Sequence, residues 1–188
     1  MTGEVVVVGL GNSYRKDDGV GAAAAAALHL LALPHVRVVT GIAEPTELLE
    51  VWSGARLVVV IDGAAATPPT PGRVRRCQLS DVVCGPGKLS CHRVDIGPAL
   101  ELGKVLGRVP DDLVVITVDV ADTGHGVGLT PAVARAVPEA VRMAVGEIER
   151  SSAPRAERAK PDRLRATRRL RRDRDCPAPV DQNGSDGP

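Results

Sequence analysis

Aliphatic residues gather in short runs bounded by Gly, Asp and Pro: EVVVVG at 4–9, VRVVT at 36–40, LVVVI at 57–61 and LVVITV at 113–118. Runs of this length without polar alternation read as strands buried on both faces. The intervening stretches 20–33, 44–52, 98–106 and 131–150 have helical character. Alternation of strand and helix predicts an α/β protein, a three-layer α/β/α arrangement around a mostly parallel twisted sheet of about five strands. GRVRRCQLS at 72–80 supplies a further strand, polar enough to belong at an edge.

The pattern ends near residue 150. Residues 1–150 are expected to form one α/β domain, and 151–188, rich in Arg, Asp and Pro with few aliphatics, a charged tail expected to be disordered because it cannot bury enough apolar surface to order itself. Acidic residues interrupt its arginines and it has no aromatic to stack a base, so no nucleic-acid partner is expected. The chain of 188 residues has no Phe and only Tyr14 and Trp52 as aromatics, so its core must be aliphatic.

No apolar run approaches the length of a membrane span. MTGEVVVVGLGN carries Glu4 and leads directly into a strand, unlike a secretory leader. Cys77, Cys84, Cys91 and Cys176 lack the close pairing of a zinc site and read as loop or strand thiols, which makes a reducing, cytoplasmic location the expectation.

Candidate chemistry begins at GLGNSYRKDDGVG, residues 9–21. Glycines between a strand and a helix suggest a dinucleotide turn, but the third glycine of that pattern would fall at Tyr14, and Asp17 and Asp18 would repel a pyrophosphate. The second strand also ends at Thr40, without an acid for a ribose hydroxyl, and no G-K-[ST] of a phosphate loop follows. Either aspartate can cap the alanine-rich helix. One suffices for that, which leaves the other for a second task.

LVVVIDGA places Asp62 at the carboxyl end of a strand, where ligands bind in open α/β sheets; the turn after the first strand emerges at the same edge. Asp18 and Asp62 converge if the two strands are neighbours. GKLSCHRVDIG adds His92 in a glycine-rich loop. Two carboxylates and an imidazole suit a divalent transition metal such as zinc or nickel. Ser90 lacks the surroundings of a hydrolase nucleophile.

In these residues the chain resembles the hydrogenase maturation proteases, endopeptidases that trim the C-terminus of nickel-iron hydrogenase large subunits. VVVVGLGNSYRKDDGVG, TGIAEPTELLEVWSGARLVVVIDGA, SCH and GVGLTPAVARAVPEAV are similar to the family's motifs, in order, across the first 145 or so residues. The resemblance implies that Asp18, Asp62 and His92 are the catalytic, metal-contacting side chains, with Asp17 as neighbour and cap, His125 in a support or surface role and Asn12 holding the first turn. It implies hydrolysis of one peptide bond in a large-subunit precursor whose own nickel meets these positions, with zinc or cadmium able to substitute in vitro, and with either the metal or a carboxylate base activating water. A non-catalytic metal carrier and a nucleotide-binding regulatory domain are the alternatives.

Overall fold

A computed structural model of the chain describes residues 3–77 and 96–152. The chain divides into two units, Met1–Ser152 and Ala153–Pro188, and the described residues belong to the first. The expected disorder of the tail, and with it Cys176, lies outside them, as do Cys84, Ser90, Cys91 and His92.

The aliphatic runs form β1 (Val5–Gly9), β2 (Val36–Thr40), β3 (Leu57–Ala64) and β5 (Asp112–Asp119), with β4 (Val74–Cys77) from the polar run. They assemble in the order β2-β1-β3-β5-β4, all parallel except β4, which pairs antiparallel to β5 at the edge. Every residue of β1 and β3 is buried, and alternate side chains feed two cores. Val5, Val7, Val59 and Ile61 face one layer, Val6, Val8, Val58 and Val60 the other. Each buried valine or isoleucine contributes about 1.5–3 kcal/mol by leaving water.

The first layer is built by α1 (Val20–His29) and α4 (Pro131–Ser152), the second by α2 (Pro45–Trp52) and α3 (Ile96–Leu106), where Trp52 is fully buried. The alanines of α1 are explained by closeness to the sheet. A Cβ on Gly9 would lie 2.4 Å from the Gly21 carbonyl oxygen and 2.6 Å from the Ala25 Cβ.

Several ends differ from expectation. α1 stops at His29, short of residue 33, because Ala32 adopts a left-handed φ of 47° and the exposed Leu30 and Leu31 add nothing to the core. β3 runs on from Ile61 to Ala64 because β5 continues beside it, pairing Asp62 with Thr117 and Ala64 with Asp119. α4 accommodates Pro138, whose exposed position leaves the carbonyl one turn back to water. It continues two residues beyond the expected boundary at 150: the Ser151 and Ser152 hydroxyls donate to the Ile148 carbonyl, and the Ser151 carbonyl accepts from Arg56.

Edge strand β4 is tied to α4 by Glu147, which is 5% exposed and accepts from Arg76 Nε and Arg150 Nη2, each at 2.5 Å. Burial raises this carboxyl, but the two guanidinium hydrogen bonds outweigh it and hold the pKa below the usual value of 4.5. Because the folded value is the lower one, the contribution is complete above about pH 5 and is lost as pH falls through the folded value. Glu147→Gln is therefore expected to cost about 1–2 kcal/mol at pH 7, allowing for screening of the part-exposed arginines, and progressively less in acid. Thermal melts of both proteins across pH 3–7 check it; a constant difference would refute it.

Candidate active site at the carboxyl edge of the sheet

β1 hands the chain to β2 on one side while β3 and β5 lie on the other, so the sheet reverses its winding between β1 and β3. Such a switch point opens a crevice beyond the carboxyl ends of the strands. Leu10 N donates to the Ile61 carbonyl at 2.9 Å, keeping the turn after β1 against β3 just before Asp62. A Cβ on Gly63 would stand 3.4 Å from the Asp17 carbonyl oxygen, so the Asp17–Asp18 turn and the Asp62–Gly63 segment share one edge.

The turn itself is tightly determined. Gly11 has φ 104°, and any Cβ there would lie 1.8 Å from the Asp18 carbonyl oxygen. Asn12 Oδ1 accepts from Tyr14 N at 2.9 Å, so Asn12 does hold the turn, and its own N–H donates to Asp18 Oδ2 at 3.1 Å. Asp18 is 1% exposed, and its buried Oδ1 has no hydrogen-bond partner among the described residues. Asp62, fully buried, accepts from Gly63 N at 2.8 Å. By strand parity it points to the α2/α3 face.

Neither aspartate caps α1, contrary to the cap expected of Asp17. Gly19 occupies the N-cap, and Asp17 turns away to the loop after β5. There it accepts from Thr130 N at 2.6 Å, Ala121 N at 2.9 Å, Asp122 N at 3.0 Å and Thr130 Oγ1 at 2.9 Å. Burial raises its pKa, and these four donors together bring it below the ordinary carboxylate value. Four long-range donors outcompete the helix terminus, where a cap satisfies only one or two.

The 121–130 loop was marked in the sequence by its GVGLTP motif and His125, but its bond to Asp17 and the first turn was missed. Lys16 N donates to the Gly126 carbonyl at 2.9 Å and Gly126 N to the Tyr14 carbonyl at 3.0 Å, while Lys16 Nζ pairs with Asp122. The two loops thus form a lip carrying Tyr14 and Val127, 75% and 79% exposed, with His125 also on the surface as expected. The available signal was TVDVADTGHGVGLTP, whose Thr-Pro marks a helix start.

Thr117 is fully buried opposite Asp62, with Cys77 Sγ 3.8 Å from its hydroxyl, so Cys77 is a strand thiol. Arg75 stands across from Thr117 on β4 and pairs with the fully buried Asp119, which also accepts from Thr70. Among the described residues no three His, Cys, Asp or Glu side chains cluster as a metal site; Asp18 and Asp62 are brought to one edge, and His92 is outside the described residues.

Fold and site together define a doubly wound α/β domain with buried carboxylates at its switch point. The chain matches the hydrogenase maturation protease family model over residues 24–147 and belongs to that family. It is 29% identical over 147 residues to the hydrogenase expression/formation protein HupD of Thiocapsa roseopersicina, across 76% of this chain and 66% of that protein. Its fold is that of the hydrogenase maturating endopeptidase HybD from E. coli, at TM-score 0.68 and 20% identity over 82% of this chain and 99% of that one. The [NiFe] hydrogenase maturation protease HybD from Thermococcus kodakarensis is similar as well, at TM-score 0.62 and 21% identity over 77% and 98% of the two chains.

Proposed function

We propose that this chain is an endopeptidase that removes the C-terminal extension of a nickel-loaded nickel-iron hydrogenase large-subunit precursor, and that Asp18, Asp62 and His92 meet the nickel the precursor brings. The observation that carries this reading is Asp18: a carboxylate shut from water with one oxygen lacking a donor among the described residues is costly, and an arriving cation satisfies it. Family membership supplies the reaction class and Asp62 a second carboxylate at the same edge.

In this reading the enzyme holds an incomplete donor set until the substrate's metal arrives, so recognition and proofreading are one event. Held there by Asp18, Asp62 and His92, the nickel would supply Lewis-acid polarisation of the scissile carbonyl or of an attacking water, the alternative being Asp18 or Asp62 as general base. The exposed Tyr14 and Val127 on the lip offer apolar surface that a protein substrate can cover.

The test is the mass of the precursor's C-terminus after incubation with and without nickel. Shortening of the loaded precursor alone is expected. Equal shortening of the nickel-free precursor would overturn metal recognition. Nickel binding with no cleavage of either form would favour the metal-carrier reading.

A further inference from the structure

We propose that Asp17 is a positioning residue for this site: by fastening the turn that carries Asp18 to the 121–130 loop, it fixes where the Asp18 carboxylate stands. The proposal rests on the endopeptidase reading above.

Asp17 and Asp18 are adjacent and both buried, yet their oxygens are used in opposite ways. Both Asp17 oxygens are occupied, Oδ1 by Thr130 N and Oδ2 by Ala121 N, Asp122 N and the Thr130 hydroxyl, which leaves little lone-pair capacity for a cation. Asp18 keeps one oxygen without a donor among the described residues. The main chain of Asp17 joins the same loop, its N–H donating to the Asp122 carbonyl at 3.0 Å. The remaining rungs of the lip, from Lys16, Arg15 and Gly126, are at least partly exposed and compete with water.

Asp17 is thus the buried tie, anchored one peptide unit from Asp18 and reaching a segment more than a hundred residues away. An asparagine cannot replace it. Whichever way the amide turns, its NH2 meets backbone N–H groups, so the loop or the turn must shift, and Asp18 shifts with it. A partner that orients a metal-contacting group typically matters 10–100-fold in affinity or activity.

The experiment uses the full chain as wild type, Asp17→Asn, Thr130→Ala and Thr130→Ser. Nickel alone is titrated calorimetrically, and kcat and KM are measured on the nickel-loaded precursor, all well below each protein's thermal midpoint. Asp17→Asn is expected to bind nickel about 10–100-fold more weakly and to lose kcat with less change in KM, although folded by circular dichroism. Thr130→Ala should move the same way by a smaller factor, and Thr130→Ser, which restores the hydroxyl, should return toward wild type. A folded Asp17→Asn with wild-type nickel affinity and kcat overturns the proposal. Should that variant fail to fold, Thr130→Ala equal to wild type in both readouts overturns it. A wild type that neither binds nickel nor cleaves overturns the reading of the site, and this proposal with it.

Discussion

Asp18→Asn is expected to lower processing of the nickel-loaded precursor by about 100-fold or more while leaving the thermal midpoint unchanged or slightly raised. The asparagine Oδ1 retains the bond from Asn12 N, so the turn keeps its shape. Its NH2 takes the place of an Oδ1 that has no donor among the described residues, so no hydrogen bond to that atom is lost. A gain of even 1 kcal/mol would raise the midpoint by about 2–4 °C in a domain of this size. Activity falling as stability holds or rises is the signature of a functional group kept at structural cost. Cleavage kinetics and a thermal melt on the same preparation check both halves. Full activity would remove Asp18 from the site, and a large loss of stability would make it a structural residue.

The second large effect concerns Gly21, the second residue of α1. A Cβ there would lie 2.2 Å from the Ile61 carbonyl oxygen and 2.3 Å from that of Leu10. Both are backbone atoms at the base of the switch point, so neither yields as a flexible side chain would. Gly21→Ala is expected to cost about 3 kcal/mol or more, at or beyond the upper range for overpacking, and to lower the midpoint by about 6–12 °C or leave the chain insoluble. Gly41→Ala is the control: its φ is 80° but, among the described residues, no atom beyond its chain neighbours lies within 4 Å of the added Cβ, so the cost is the left-handed strain of about 1–2 kcal/mol. Chemical denaturation of the two variants measures the gap. Equal losses would show that α1 lifts off the sheet without penalty.

The central strands β1, β3 and β5 were legible because they are nearly continuous in aliphatics, a pattern only two-sided burial rewards, whereas β2, expected to be buried on both faces, lies at the edge of the sheet and is part-exposed. Helix ends were less legible. Leu30 to Leu33 keep the composition of α1, and it is a left-handed Ala32 that turns the chain. At the site, local rules located the two aspartates and the convergence of their strands, since both follow from aliphatic runs ending in Asp or Gly. They misassigned Asp17, because capping is a short-range rule and its partners Ala121, Asp122 and Thr130 stand 104 to 113 positions away. The lip was hidden for the same reason: Tyr14 and Gly126 meet only after β1, β3 and β5 have aligned.

The scarcity of aromatics gives the protein two optical reporters at separate addresses. Trp52 lies in the α2/α3 layer with its indole nitrogen buried and without a hydrogen-bond partner among the described residues, so its emission should be blue-shifted and sensitive to loosening of that layer. Tyr14 is the only other aromatic in the chain and stands in water on the lip. Tryptophan emission thus follows folding, whereas an ultraviolet difference spectrum at the tyrosine band follows burial of the lip by a partner that itself lacks absorbance there, with no label added to either molecule.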